Sequence, residues 1–252
     1  MRIFAATPWA IKGVFGVFGE SCHRISLVGG GGKSTLMYFM ADKCAKEGKK
    51  VLVSTTTHIF APAEGIYAGN PEQVQDLWRQ GKFAVIGSPV PEKGKLKMPQ
   101  EEFLNEMADL ADVVLLESDG SKSHPCKVPK GHEPVLHPKS DVVMAVFGLS
   151  AIGRPVREVC FRLEETTELL GVEENHVLTV EDAAEMLSSP MGSRKGVDNR
   201  QYCVVLNQCD DGERRRIGVE IAQRLAALGV PDVVMTSFDP EERIYYQMLA
   251  KK

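Results

Sequence analysis

The chain has 252 residues, of which 43% are apolar and 25% charged, and this composition is typical of a folded globular protein rather than a disordered or collagen-like one. Its 30 Lys and Arg residues and 34 Asp and Glu residues give a formal net charge of -4, which disfavours binding to nucleic acid through general phosphate attraction. The apolar run at residues 142–149 is far shorter than the roughly 20 residues of a membrane-spanning helix, so we expect a buried strand there.

Short runs rich in β-branched residues alternate with helical patterns along nearly the whole chain. The predicted strands are residues 24–28, 50–54, 83–86, 113–116, 142–147, 202–206 and 232–236. The predicted helices are residues 33–47, 71–80, 100–110, 163–170, 180–187 and 213–228, with a last one near 241–249. This alternation predicts an α/β fold, in which a mostly parallel sheet carries helices on both faces.

Local signals mark several ends of these elements. Gly48 and Gly229 each follow a long helix, where a residue of left-handed conformation is common. Thr179 and Asp182 have the spacing of a capping box at the start of a helix. No shift of composition marks a linker, so we expect one domain over residues 1–252, the alternative being a subdivision near residue 150.

The cysteines and the N-terminal residues indicate the cellular compartment of the protein. Six cysteines are scattered and form no C-x-x-C pair, which argues against a zinc ribbon or a dithiol redox motif. Pro8 and Lys12 interrupt the apolar first 19 residues and no small-residue cleavage site follows, so we expect no signal peptide. These observations predict a reduced protein of the cytoplasm that binds neither membrane nor nucleic acid.

The strongest chemical signal is the segment L-V-G-G-G-G-K-S-T at residues 27–35, between a predicted strand and a predicted helix. Consecutive glycines let the backbone bring N–H groups against phosphate oxygens, and the following helix presents its positive N-terminal end to the same anion. Lys33 would then reach the β- and γ-phosphates, and the Ser34 hydroxyl would bind Mg²⁺. We therefore predict a phosphate-binding loop made of Gly29, Gly30, Gly31, Gly32, Lys33, Ser34 and Thr35.

This loop departs from the usual pattern G-x-x-x-x-G-K-[ST], because Leu27 stands where the first glycine is expected. What remains resembles the variant loop of Mur-type and folylpolyglutamate-type ligases, G-T-x-G-K-T-T. It also resembles the G-G-x-G-K-[ST] loop of the ParA and MinD group, although Val28 replaces the lysine that marks that group. The resemblance implies a P-loop NTPase-like fold that binds Mg²⁺ with ATP or GTP.

Two carboxylates follow the buried strand V-V-L-L, at Glu117 and Asp119. In an open α/β sheet, ligands bind at the carboxyl ends of the strands, so these acids would face the metal and the γ-phosphate. We assign Glu117 to the metal, directly or through water, and Asp119 to the metal, the attacking water or a substrate. The alternative is that both acids only end a strand.

A run of hydroxyl groups and an imidazole, S-T-T-T-H at residues 54–58, follows the second of the predicted strands. A loop in this position can place a hydroxyl on Mg²⁺ or on a γ-phosphate, as a switch residue does. Threonine also favours extended backbone, which is the alternative explanation. The sequence does not choose among Thr55, Thr56 and His58; we place Thr56 with the metal and His58 with a substrate.

The segment N-Q-C-D at residues 207–210 also follows a buried strand directly. It resembles the N-K-x-D motif of GTP-binding proteins, in which the aspartate accepts hydrogen bonds from guanine and the asparagine orients the pocket. Gln208 stands where the lysine is expected, so a positive charge is missing. Asn207, Gln208 and Asp210 are the candidates for contact with the base, and an ordinary turn is the alternative, because Asn and Asp favour turns.

The segment from Asp119 to Pro134 would lie beside the γ-phosphate if Glu117 is placed as we expect. It is rich in groups that could bind an anionic second substrate, and our candidates are Lys122, Lys127, His132 and Glu133. His124, Cys126 and His132 could instead hold a soft metal or a chalcogen, although their spacing is not diagnostic. The polarity of a surface loop is the third explanation.

Taken together, the segments VGGGGKST, VLVSTTTHIFAP, LLESDGSKSHPCKVPKGHEPV, VFGLSAIGRPV and VVLNQCD resemble the YqeC-type accessory proteins of selenium-dependent hydroxylases over about residues 20 to 240. The resemblance implies a nucleotide-dependent helper in the maturation of molybdenum hydroxylases that carry a labile selenium cofactor. A molybdenum hydroxylase, or a protein that matures its cofactor, is then the expected partner.

The residues themselves predict a P-loop NTPase that couples hydrolysis to a step on a second substrate, with Lys33, Glu117 and Asp119 as the catalytic groups. One alternative is a kinase or Mur-like ligase that transfers the γ-phosphate to a small anionic acceptor. Another is a nucleotide-gated delivery module with little turnover. The sequence leaves the base, the acceptor and the oligomeric state open.

Overall fold

The computed structural model of the chain describes residues 2–6, 23–238, 240–241 and 248–249. The strands are β1 (Arg2–Ala6), β2 (His23–Gly29), β3 (Val51–Thr55), β4 (His58–Phe60), β5 (Ala84–Val85), β6 (Ser88–Val90), β7 (Lys95–Lys97), β8 (Val113–Glu117), β9 (Cys126–Lys127), β10 (Val142–Gly148), β11 (Cys160–Phe161), β12 (Gln201–Asn207) and β13 (Asp232–Thr236). The α-helices are α1 (Lys33–Lys46), α2 (Pro71–Arg79), α3 (Glu101–Leu110), α4 (Val156–Val159), α5 (Leu163–Leu170), α6 (Val180–Ser188) and α7 (Gly212–Ala227).

Within the described residues, eight strands form one sheet in the order β1-β13-β12-β10-β2-β8-β3-β5, and every neighbouring pair is parallel. The central strands are apolar along almost their whole length, and β8 and β10 are buried at every position. Continuous burial of this kind requires cover on both faces.

Helices cover both faces of the sheet. On one face, α1 packs against a row that includes Leu27, Val53 and Leu115. On the opposite face, α2 and α3 pack against Leu116 and its neighbours, and α6 and α7 pack against the part of the sheet built from β10, β12 and β13. The predicted α/β architecture, with a mostly parallel sheet and helices on both faces, is confirmed.

The smaller elements escaped the sequence analysis. The strand β1, the antiparallel sheet β4-β7-β6, the two-stranded pair β9-β11 and the single-turn helix α4 were not predicted, because runs of two to five residues are too short for a hydrophobic period to emerge. The predicted helix near 241–249 lies largely outside the described residues. Within the part of the chain that the structure describes, every helix is too short or too polar to cross a bilayer.

The structure confirms the three predicted signals at helix ends. Gly48 and Gly229 have φ angles of 84° and 79°, in the left-handed region. The Thr179 side chain accepts from the Asp182 backbone N–H, and the Asp182 carboxylate accepts from the Thr179 N–H, which completes the capping box.

The sheet order sets the position of the site. Strand β2 lies between β8 and β10, and the chain leaves its carboxyl end through a short glycine turn into α1. The carboxyl ends of β3, β8, β10 and β12 meet at the same edge because these strands are parallel to β2. A crevice at this edge is the usual ligand site of an open parallel sheet.

Candidate functional site

The glycine turn folds tightly against its neighbours at this edge. Gly29, Gly31 and Gly32 have φ angles of 93°, 82° and 108°, which only glycine adopts readily. The turn's N–H groups already donate to protein acceptors: that of Gly29 to the Asp119 carboxylate (3.1 Å to each oxygen), that of Gly30 to the Val146 carbonyl (2.9 Å) and that of Gly31 to the His124 carbonyl (2.9 Å). The first-turn N–H groups of α1, from Lys33 to Thr35, have no partner inside the helix and remain the donors for an anion.

The turn also has no room for side chains, which gives a prediction on stability. A Cβ on Gly31 would overlap the backbone of Gly148 and of Pro125, whereas a Cβ on Gly48, at nearly the same φ, would meet nothing within 4 Å. We expect Gly48→Ala to lower the free energy of unfolding by about 1 to 2 kcal/mol, from the left-handed backbone alone. Gly31→Ala should cost roughly a further 1 to 3 kcal/mol from the overlap. Urea denaturation of the two variants checks this, and equal losses would show that the turn relaxes freely.

Lys33 begins α1 and is nearly fully buried. Its ammonium donates to the Gly29 carbonyl and lies 3.0 Å from Asp119 Oδ1. Lys127 approaches the same carboxylate from the other side, with its ammonium 3.2 Å from Asp119 Oδ2. Asp119 is therefore held between two buried ammonium groups, both of which the sequence analysis had singled out.

The chain of charges continues from Lys127 to Arg162. The Lys127 ammonium donates to Glu133 Oε2 at 2.9 Å and to the Gly120 carbonyl at 2.9 Å, and Arg162 Nη2 donates to Glu133 Oε1 at 2.9 Å. Burial alone would raise the pKa of Glu133, but the hydrogen bonds from Arg162 and Lys127 lower it to about 2, so the carboxylate is ionised at neutral pH. Glu133 thus has a protein partner on each oxygen, the buried Lys127 and the partly exposed Arg162, and this arrangement anchors the loop.

Ser34 and Glu117 come together on the β8 side of the turn. The Ser34 hydroxyl donates to Glu117 Oε2 at 2.8 Å, and the Glu117 backbone carbonyl accepts from the Thr55 hydroxyl at 2.8 Å. The Thr56 hydroxyl, which we expected at the metal, instead donates to the Val135 carbonyl at 2.5 Å. A hydroxyl and a carboxylate oxygen in contact are hard ligands that suit Mg²⁺. Ser34 and Glu117 are the pair that fits this ion.

Asn207 links the end of β12 to the glycine turn. Its Nδ2 donates to the Gly31 carbonyl at 2.7 Å, and its Oδ1 accepts from the Thr236 hydroxyl at 2.8 Å. Gln208, at a φ of 64°, accepts from the Ser150 hydroxyl through Oε1 at 2.5 Å. These contacts fix the residues after β12 against the glycine turn.

Asp210 lies two residues beyond Gln208. Its Oδ1 accepts from the Ser237 hydroxyl at 2.9 Å and its Oδ2 pairs with Arg214 at 3.2 Å. The segments after β12 and β13 therefore form one corner, in which Ser237 holds Asp210.

Other predicted residues lie apart from this cluster or are exposed. His58 is exposed on β4, in the small antiparallel sheet, and His132 is exposed in a turn. Lys122 places its ammonium 5.3 Å from the centre of the Phe161 ring, on which His124 also stacks. Among the described residues, no group of three or more His, Cys, Asp or Glu side chains is placed to hold a metal ion. The soft-metal alternative therefore gains no support from the described residues.

Cys126 packs against the Cys160 thiol with a sulfur–sulfur distance of 2.9 Å. Burial and the hydrogen bond to Cys160 raise the pKa of the Cys126 thiol well above its ordinary value, so the thiol is neutral at physiological pH.

Arg162, Thr236 and Ser237 were not predicted from the sequence. Thr236 is the last residue of the predicted strand at 232–236, and Ser237 follows it. Polar residues at the ends of the other parallel strands are our site candidates, so the same rule could have found these two. Arg162 had no sequence signal, because its place depends on the pairing of β11 with β9.

Two known proteins are similar to the chain. The crystal structure of HypB from Helicobacter pylori in complex with nickel aligns over 96% of this chain and 91% of that one, at 11% identity and a TM-score of 0.39. The Escherichia coli (strain K12) protein called "Uncharacterized protein YqeC" is 29% identical over 187 residues, which are 69% of this chain and 70% of that one. The sequence model of the family described as YqeC protein matches residues 25–164, more than half of the chain. The matched range includes the glycine turn, both carboxylates after β8 and the loop through Glu133, and the chain therefore belongs to the YqeC family.

Proposed function

We propose that the chain binds Mg²⁺ with a nucleoside triphosphate at residues 29–35 and hydrolyses it. The observation that carries the proposal is the convergence of three groups at the carboxyl edge of the sheet: the buried Lys33 ammonium, the Ser34–Glu117 pair and the N-terminus of α1. A cation, a metal-binding pair and a helix N-terminus are what a strand–glycine turn–helix site uses to bind phosphates.

Each residue has a role in this proposal. Lys33 binds the β- and γ-phosphates and stabilises the charge that moves onto the leaving oxygen. Ser34 and Glu117 would hold Mg²⁺, which neutralises phosphate charge when it is bound. Asp119, the carboxylate beside Lys33, orients the attacking water. Phosphoryl transfer depends mainly on positioning and charge, so this set needs no covalent nucleophile.

We propose guanine as the base. Guanine presents two neighbouring donors, N1–H and the 2-amino group, which match a carboxylate such as Asp210, whereas adenine presents an acceptor at N1. The contacts with Ser237 and Arg214 hold the Asp210 carboxylate in one orientation at this corner. The bridge from Asn207 to the Gly31 carbonyl and to Thr236 supports this assignment, because it ties the base corner to the phosphate loop.

Calorimetry with the Mg²⁺ complexes of GTP, ATP and CTP tests both parts of the proposal. We expect GTP to bind most tightly and Asp210→Asn to weaken it by at least about tenfold, since a charge-assisted hydrogen bond is lost. Asp211→Asn is the matched control: it removes a neighbouring carboxylate charge, and asparagine can still cap α7. Equal affinity for ATP and GTP, or an Asp210→Asn variant that binds GTP as tightly as the wild type, would contradict the base assignment. If none of the three nucleotides binds, the proposed site is wrong.

We further propose that the nucleotide step serves the maturation of selenium-dependent molybdenum hydroxylases, an assignment that rests on the resemblance of the sequence segments. A kinase or ligase would release little phosphate until a small acceptor is added, and a delivery module would bind its partner only in the triphosphate-bound form. Phosphate release measured with and without an acceptor separates these alternatives from hydrolysis.

A further inference from the structure

The carboxylate of Asp119 makes the contacts that a phosphate oxygen makes in a site of this kind. It accepts from the Gly29 N–H at 3.1 Å, and its two oxygens lie 3.0 Å from the Lys33 ammonium and 3.2 Å from the Lys127 ammonium. Backbone N–H groups of a glycine turn together with a lysine are the donors that bind nucleotide phosphates. An acid of the chain itself is their partner in this structure.

The Asp119 carboxylate is also shielded from solvent. Asp119 is 1% exposed, and the space bounded by Gly29, Asp119, Lys127 and the prolines of the following loop leaves no room for a water molecule. The segment that follows Asp119 holds the turn through the hydrogen bond from the Gly31 N–H to the His124 carbonyl. Lys122 and Ser123, within this segment, have φ angles of 46° and 65°. Residues other than Gly, Asn and Asp seldom adopt this left-handed backbone conformation, so the backbone of this segment is strained.

The local charge explains why the closed state tolerates a buried acid. Two ammonium groups, Lys33 and Lys127, face the single Asp119 carboxylate, and Glu133 neutralises Lys127 from the far side. If Asp119 moved away without a replacement, Lys33 would remain buried beside the Gly29 carbonyl alone, which is costly for a charged group. An incoming phosphate can supply the missing negative charge. A phosphate oxygen at this point would meet the same donors as the Asp119 carboxylate.

From this geometry we infer that the Asp119 carboxylate lies where a γ-phosphate oxygen binds, and that a nucleoside triphosphate binds by displacing it. The inference rests on the proposed function, because it presumes that the glycine turn binds a triphosphate. The displaced carboxylate then becomes available to orient the attacking water. The closed state lowers the apparent affinity, since only the fraction of molecules in which Asp119 has left can bind.

The substitution Asp119→Asn tests the inference through binding, without any turnover. Asparagine keeps the shape of the side chain and can still accept from the Gly29 N–H, but it no longer holds the two ammonium groups by charge. We expect MgGTP and inorganic tripolyphosphate to bind about tenfold more tightly to this variant than to the wild type, the size of one charge-assisted hydrogen bond. The affinity for MgGDP, which has no γ-phosphate to displace Asp119, should change little. Calorimetry gives the three affinities.

Glu133→Gln is the matched control for charge. It also removes a buried negative charge beside Lys127, but Glu133 contacts neither Gly29 nor Lys33. A general change of potential would strengthen binding to both variants, whereas displacement strengthens it only for Asp119→Asn. Stopped-flow binding adds a second measurement: the observed rate for the wild type should reach a plateau set by the departure of Asp119, and Asp119→Asn should raise or remove that plateau.

The outcomes separate the inference from the proposed function. If the wild type binds MgGTP and Asp119→Asn binds it equally or more weakly, the inference is wrong and the nucleotide site stands. If Glu133→Gln raises the affinity for MgGTP as much as Asp119→Asn does, charge alone accounts for the effect and the inference is also wrong. If neither the wild type nor Asp119→Asn binds any of the three probes, the proposed function is wrong and the inference fails with it.

Discussion

Replacing Lys33 with alanine should lower nucleotide turnover by at least about a hundredfold, because a buried cation aimed at the phosphates is usually one of the largest electrostatic contributions in such a site. The variant should lose stability through the loss of a buried ion-pair partner but still fold, since Asp119 retains the Lys127 ammonium at 3.2 Å. Phosphate release under saturating MgGTP measures the effect, and circular dichroism with urea denaturation checks the fold.

Lys46→Ala is the control for this experiment. Lys46 ends the same helix and its side chain is 63% exposed, so the variant changes the net charge equally while leaving the glycine turn untouched. We expect wild-type turnover from it. A Lys33→Ala variant that is folded and still turns over at the wild-type rate would show that the glycine turn is not the nucleotide site.

Replacing Lys127 with methionine should destabilise the protein by roughly 3 to 5 kcal/mol, which is the usual cost of removing one partner from a buried ion pair. The Lys127 side chain is 1% exposed and satisfies three acceptors: Asp119, Glu133 and the Gly120 carbonyl. Methionine fills a similar volume, but among the described residues it leaves Glu133 with Arg162, and Asp119 with Lys33, as its one charged partner. The free energy of unfolding from urea denaturation measures the loss.

An exposed pair provides the comparison for Lys127→Met. Arg154 and Glu158 lie one turn apart on the surface with a nitrogen–oxygen distance of 3.3 Å, and Arg154→Met should cost no more than about 0.5 kcal/mol. Equal costs for the Arg154 and Lys127 substitutions would mean that water reaches the buried charges.

The main elements of the fold were predictable because their signals are local. Strand β8 has four consecutive apolar residues and ends in an acid, and α1 directly follows four glycines, so a hydrophobic run and a glycine turn located these two elements. The predicted strand and helix ends agree with the structure to within about two residues. The small sheet of β4, β6 and β7 was missed because three-residue strands depend on their partners for stability rather than on their own pattern.

For the site, the sequence identified the types of residue but not their partners. It placed Lys33, Ser34 and Glu117 together because parallel strands end at one edge, and the structure brings them together. From the sequence we expect the glycine N–H groups against phosphate oxygens and Glu133 in contact with a substrate. In the structure, Gly29 donates to Asp119, and Glu133 is buried between Lys127 and Arg162.

The alternation of strands and helices, the glycine turn before α1 and the acids at the end of β8 can be read from local sequence, because each depends on residues close together in the chain. The position of Asp119 between two ammonium groups, and the contact of Arg162 with Glu133, 29 residues away, depend on the folded chain. Such pairings depend on which strands become neighbours in the sheet. Burial sets both the strength of each ion pair and the cost of breaking it, so the energies of these ion pairs depend on the tertiary structure.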